Sequence, residues 1–242
     1  KEEGIIDVLL SPSESSFYRS LKETLRTEVE SILLSEEPFR AATAIIQALT
    51  KLRQAAIAPG LVGGPDRSSK IDTVIEKLEE VLSEGHRVLV FSQYVRVLAM
   101  IEKRVQANGR RYRYIDGSVR EKTRKEIIDQ FQRGGELDFL LISLKAGGVG
   151  INLTEADYVF LVDPWWNPAV ENQAVDRAHR IGQTHSVFAY RFMSRGTVEE
   201  QILDLQETKR ELVRNVVGDG KSLFASMSKE EILALFDDEP SA

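Results

Sequence analysis

The sequence predicts an α/β fold: a parallel sheet flanked by helices, with an N-terminal helical appendage and a long C-terminal helix. Three observations predict it. From Ser69 onward, short apolar runs rich in Val, Ile, Phe and Tyr alternate with segments whose apolar residues recur at helical spacing. Apolar strands separated by helices imply strands covered on both faces, which is the habit of parallel sheets with helical crossovers. Between an opening strand and Ser69, and again after Gly196, helical patterns appear by contrast without strands between them.

The opening, KEEGIIDVLL, reads as a short strand through Ile5 to Leu10, followed by a helix entered at SPSES, where Ser and Pro suit a first turn. A second helix runs from about Phe39 to Ile57, and Pro59-Gly60 ends it before the linker-like GGPDRSS at 63–69. The strands that follow are RVLVF at 87–91, YRYI at 112–115, DFLLIS at 138–143, DYVFLV at 157–162 and VFAYRF at 187–192. Helices at about 95–107, 120–132 and 168–179 separate them. The segment at 197–217 has apolar residues at helical spacing and opens with Thr197 and Glu200 as a capping box. One more short helix, SKEEILALF, lies near the end. The expected divisions are 1–68 (strand and helical lead-in), 69–196 (α/β lobe) and 197–242 (C-terminal helices).

Composition narrows the classes. A chain of 242 residues with 42% hydrophobic content can bury a real core. No run approaches the roughly 18 consecutive apolar residues of a membrane span, and the first residues lack a basic region followed by an apolar stretch. The expectation is a cytoplasmic (bacterial nucleoid) or nuclear protein, not secreted, with no membrane partner. There is no Cys, and His86, His179 and His185 form no ligand spacing such as HExxH, so no metal site is expected on this chain. The net charge of −6 runs against nucleic-acid binding, yet residues 102–125 hold nine basic side chains against three acidic ones. Distribution carries more weight than the sum.

The densest motif is QAVDRAHRIGQ at 173–183, preceded by DPWWNPAVEN. Arg177 and Arg180 are three apart, so on a helix they share a face and offer two planar donor forks to a multiply charged phosphate. Spacing alone equally allows surface arginines paired to Asp176 and Glu171. Gly147, Gly148 and Gly150 permit tight turns and close approach to a phosphate, but such a turn after a strand is also common without a ligand.

Taken in order, VLVFSQY at 88–94, IDGSVR at 115–120, SLKAGGVGINLTEADYVFLVDPWWNP at 143–168 and DRAHRIGQ at 176–183 resemble the motif set of the second lobe of SWI/SNF-type DNA translocases in helicase superfamily two. LRQAAIAPGLV at 52–62 resembles the helix preceding that lobe, although the family usually shows a Cys-Asn-His-Pro-like sequence there. The resemblance implies a RecA-like sheet and a C-terminal brace helix. It implies that Arg177 and Arg180 are arginine fingers reaching an ATP held mainly by the N-terminal RecA-like lobe of the same protein, which would also hold the Mg2+. Gln173 would help seat the nucleotide. Gly150 and Asn152 would approach the sugar edge and transmit nucleotide state.

For double-stranded DNA, the resemblance places Ser92 and Gln93, Asp116, Gly117 and Ser118, and Ser143, Leu144 and Lys145 near one strand's backbone. Small hydroxyls, glycines and backbone amides suit phosphate contacts without base readout. Trp165 is expected as a coupling residue near DNA and Trp166 as packing, since two adjacent Trp cannot both face one core. The phosphate-cradling GxxxxGK[ST] loop and an acidic box after an apolar strand occur nowhere in the 242 residues, so the chain alone is expected not to hydrolyse ATP. Two other readings stand beside this one: a strand-separating helicase lobe, and a noncatalytic module that docks a protein through its acidic helical ends.

Overall fold

The runs VLVFS and FLLIS are apolar at nearly every position, and both form strands buried at every residue. A computed structural model describes residues 2–34, 38–144, 153–165, 168–176, 178, 186–208 and 227–237. In chain order its elements are β1 (Glu2–Val8), α1 (Pro12–Leu34), α2 (Pro38–Ile57), a 3-10 turn (Pro59–Val62), α3 (Ser69–Ser83), β2 (Val88–Ser92), α4 (Val95–Val105) and a 3-10 turn (Gln106–Asn108). There follow β3 (Tyr112–Ile115), α5 (Glu121–Gln132), β4 (Phe139–Ser143), β5 (Tyr158–Leu161), α6 (Pro168–Val175), β6 (Phe188–Ser194), α7 (Val198–Thr208) and α8 (Lys229–Ala234).

The chain divides into two compact units. The first, Lys1–Asp7, Ile71–Asp163 and Ala169–Met193, holds a six-stranded sheet in the order β1-β6-β5-β2-β4-β3. The pairs β2–β4, β2–β5, β3–β4 and β5–β6 are all parallel. The crossover from β2 to β3 runs one way across the sheet and that from β3 to β4 runs back, so right-handed connections put α4 and α5 on opposite faces. Val97, Leu98, Ile101 and Val105 of α4 are buried at 3.6-residue spacing, as are Ile127 and Phe131 of α5. At the amino ends of the strands, the Arg87 guanidinium lies 3.9 Å from the Phe131 ring centroid and donates to the carbonyls of Phe131 and Leu137.

The second unit comprises Val8–Lys70, Pro164–Pro168 and Ser194–Ala242. Its core draws Tyr18, Leu25, Val29 and Leu33 from α1, Ile45, Leu49 and Leu52 from α2, Ile202 from α7 and Phe236 just beyond α8. Ser11 and Glu14 form the entry to α1: the Ser11 N–H donates to Glu14 Oε2 at 2.8 Å and the Glu14 N–H to Ser11 Oγ at 3.4 Å.

Two local expectations change. The opening strand is Glu2–Val8 rather than 5–10, because its ladder with β6 begins at Glu2 N–H to the Val187 carbonyl and Leu9 is 78% exposed. β1 therefore belongs with the sheet, and the two units interleave along the chain. At α7 the capping box is displaced. Thr197 Oγ1 accepts from Glu199 N–H, and Glu200 reaches back to Gly196 N–H, because the Glu199 carboxylate turns inward to Lys70 and the Ser194 N–H.

Candidate functional site

In a parallel sheet the carboxyl ends of all strands meet at one edge. Here the register sets Ser92 beside Ser143 and Ile115 beside Ile142, so Asp116 leaves β3 level with Ser143. Leu161 pairs with Phe91, which brings Asp163, two residues on, to the end of β2. From β2 the chain passes through α4 toward β3 and β4; from β5 it passes through α6 toward β6 on the other side. Neighbouring strands whose continuations diverge open a crevice at their carboxyl ends, where ligands of such sheets bind. In this sheet that point lies at Ser92, Gln93 and Asp163.

Asp163 organises the crevice. Its side chain is buried, and its Oδ1 accepts from Ser92 Oγ at 2.5 Å and from the Gln93 N–H at 3.3 Å. Its Oδ2 accepts from the Gln93 amide nitrogen. Ser92 Oγ in turn accepts the Tyr94 N–H at 3.1 Å, at the residue that caps α4. Ser92 and Ser143 are both buried, so their side chains face inward and the surface of the edge is made by Gln93, the backbone and the loops. Leu144 is also buried, and its N–H donates to the Ser92 carbonyl at 3.0 Å.

The loop after β3 is built by two independent ties. Asp116 Oδ1 accepts from the Ser118 N–H at 2.8 Å and from Ser118 Oγ at 2.6 Å. The Ser118 hydroxyl bond is the main reason the Asp116 carboxyl lies below its ordinary range. From α5, Arg124 Nη2 donates to the carbonyls of Asp116 at 3.3 Å and Val119 at 3.2 Å, leaving Gly117 and Ser118 exposed at the tip. Arg124 thus braces the loop from behind. Beneath it, burial and the nearby Asp116 and Glu102 carboxylates push the Tyr114 phenol up to about 12.

Of the basic residues at 102–125, Arg104, Arg110 and Arg111 are paired with Asp72, Glu79 and Asp138. Gln173 is exposed on α6. Glu171, a partner considered for the arginines of DRAHRIGQ, is buried and bound by Arg191 Nε at 3.0 Å. Trp165 is half-buried, and its carbonyl accepts from Gln206 of α7. Lys145, Gly150, Asn152, Trp166, Arg177 and Arg180 lie outside the described residues. Among the described residues no group of three or more His, Cys, Asp or Glu could hold a metal ion, and no helix is long and apolar enough to cross a membrane. Asp163 escaped the sequence reading; its one signal was a lone carboxylate directly after an apolar strand.

The family described as Helicase conserved C-terminal domain matches residues 69–182. An uncharacterised ATP-dependent helicase of Mycoplasma pneumoniae is 36% identical over 233 residues, which is 96% of this chain and 22% of that protein. The chain thus spans about a fifth of the length of that curated relative. The C-terminal domain of the Sulfolobus solfataricus SWI2/SNF2 ATPase is 30% identical, with 99% of each chain covered and a TM-score of 0.79. The core of a Sulfolobus solfataricus SWI2/SNF2 ATPase in complex with double-stranded DNA is 32% identical, covering 99% of this chain and 50% of that one, at a TM-score of 0.81.

Proposed function

We propose that this chain, which belongs to the SWI/SNF-type superfamily-two ATPases as their C-terminal RecA-like lobe, is the second half of an ATP-driven motor that tracks the backbone of double-stranded DNA. One observation carries the reading: the loops that match the family's DNA motifs, after β2, β3 and β4, leave a parallel sheet at a single edge, beside its switch point. Gln93, Gly117 and Ser118, with the backbone around Ser92, Asp116, Ser143, Leu144 and Lys145, would hold phosphates without reading bases. Trp165 would couple that grip to nucleotide state.

ATP and Mg2+ would be held mainly by an N-terminal RecA-like lobe, since the GxxxxGK[ST] loop is absent from this sequence. Arg177 and Arg180 would then reach the γ-phosphate, where transition-state charge spreads over the oxygens and a finger contributes about 10³ to 10⁵ in rate. Gln173 would seat the nucleotide, with Gly150 and Asn152 at its sugar edge.

The test is ATP turnover by the intact protein with and without duplex DNA. Stimulation by DNA, lost in Arg177→Ala and in Arg180→Ala while ATP still binds, is the expected result, together with no turnover by these 242 residues alone. Normal turnover in either variant removes the finger assignment. Duplex unwinding in a displaced-strand assay would favour the strand-separating reading.

A further inference from the structure

We propose that Asp163 is a positioning residue that presets Gln93 for contact with the DNA backbone and ties that contact to the segment leading into α6. The inference rests on the reading above, in which Gln93 touches DNA.

The argument begins with what a buried carboxylate can do. It accepts hydrogen bonds and never donates them, so the end of the Gln93 side chain facing Asp163 Oδ2 must be the amide nitrogen. That fixes the rest of the group: the second N–H and the carbonyl oxygen are turned away from the carboxylate. The Gln93 main chain is held by the same residue, through its N–H to Oδ1 at 3.3 Å and Oδ2 at 3.4 Å. With Ser92 Oγ at 2.5 Å on Oδ1, one side chain sets both the backbone and the side-chain direction where β2 passes toward α4. A donor already held in place loses little rotamer freedom on meeting a phosphate, and charge-assisted bonds to the carboxylate make that hold firm.

Location supplies the second part. Asp163 ends the β5 segment and is followed by Pro164, Trp165 and then α6, which carries Gln173 and precedes the two arginines of the DRAHRIGQ motif. Its carboxylate is therefore the bond across the switch point between the strand whose exit leads to the nucleotide motif and the strand whose exit carries the DNA contact. Asp163 thus joins the end of the β5 segment to Gln93 by side-chain hydrogen bonds.

The test is a double-mutant cycle in the intact protein, reading the KM for duplex DNA in ATP turnover alongside the KM for ATP. Gln93→Ala and Asp163→Asn are each expected to raise the KM for DNA about tenfold, the worth of one charge-assisted bond. The two together should do no worse than either, with rate recovered at saturating DNA and the KM for ATP little moved. A structural defect would instead lower the melting temperature and disturb both KM values. Gln93→Asn keeps the amide on a shorter arm and leaves the core carboxylate intact; it should behave as Gln93→Ala. A wild-type KM for DNA in Gln93→Ala would remove Gln93 from the DNA site. A weakened Gln93→Ala with additive, or absent, effects of Asp163→Asn would overturn the positioning role alone, as would wild-type behaviour of Gln93→Asn.

Discussion

Lys70 Nζ lies 2.7 and 2.5 Å from the two carboxylate oxygens of Glu199, across 129 residues of sequence, and neither side chain is more than 1% exposed. The pair joins the first turn of α3 to the first turn of α7, and Glu199 Oε2 also accepts the Ser194 N–H at 2.8 Å. A charge pair so deeply buried stabilises only while both partners are present.

Removing one partner should therefore cost more than removing both. Lys70→Met is expected to lose about 3–5 kcal/mol, whereas Lys70→Met with Glu199→Met should recover much of it. Urea unfolding of the chain measures both; a single variant within about 1 kcal/mol of wild type would contradict the burial argument.

Glu14 predicts an acid-dependent component of stability. Burial pushes its carboxyl up, but hydrogen bonds from the Ser69 and Ser11 backbones and side chains outweigh that and hold it below its ordinary value of 4.5. A depressed carboxyl stabilises above its unfolded value and loses that contribution as pH falls through its folded one. Glu14→Gln should melt earlier than wild type at pH 7, with the gap closing as pH drops below about 4.5. A gap that stays constant with pH would show that the charge is irrelevant.

Gly64 predicts a packing limit. A Cβ there would sit 2.6 Å from Phe17 Cε1 and 2.7 Å from Pro59 Cβ. Gly64→Ala should cost about 1–3 kcal/mol by overpacking, and Phe17→Leu in the same chain should return part of it. Thermal unfolding of the single and double variants reads the difference.

Arg124 predicts a local effect. Arg124→Ala removes the donor held by both ends of the Asp116–Val119 loop. Hydrogen exchange at the amides of Ser118 and Val119 should quicken roughly tenfold or more, with exchange in β2 and β4 little changed. Uniformly faster exchange would mean global destabilisation instead.

Much of the sheet was legible because β2 and β4 are buried on both faces and the edge strand β3 is rich in Tyr and Ile. VLVFS, YRYI and FLLIS announce themselves by composition, and their observed bounds fall within a residue of the expected ones. The opening strand was misread by three residues at its start because its burial alternates weakly and its ladder partner lies beyond residue 186. The candidate loops could be located as strand ends, but the role of Arg124 could not, because its carbonyl partners at Asp116 and Val119 are set by how α5 packs under the loop.

Periodicity and motif order, both local properties of the chain, determined by themselves the α/β class, the strands after Ser69 and the family. Tertiary structure alone decided that β1 joins the sheet, that Glu14 serves two segments, that Lys70 meets Glu199, and that Asp163 takes hold of Gln93. The reason is distance along the chain: backbone propensity acts over a few residues, whereas a buried polar group must find its partner wherever the fold brings one, here 55 to 129 residues away.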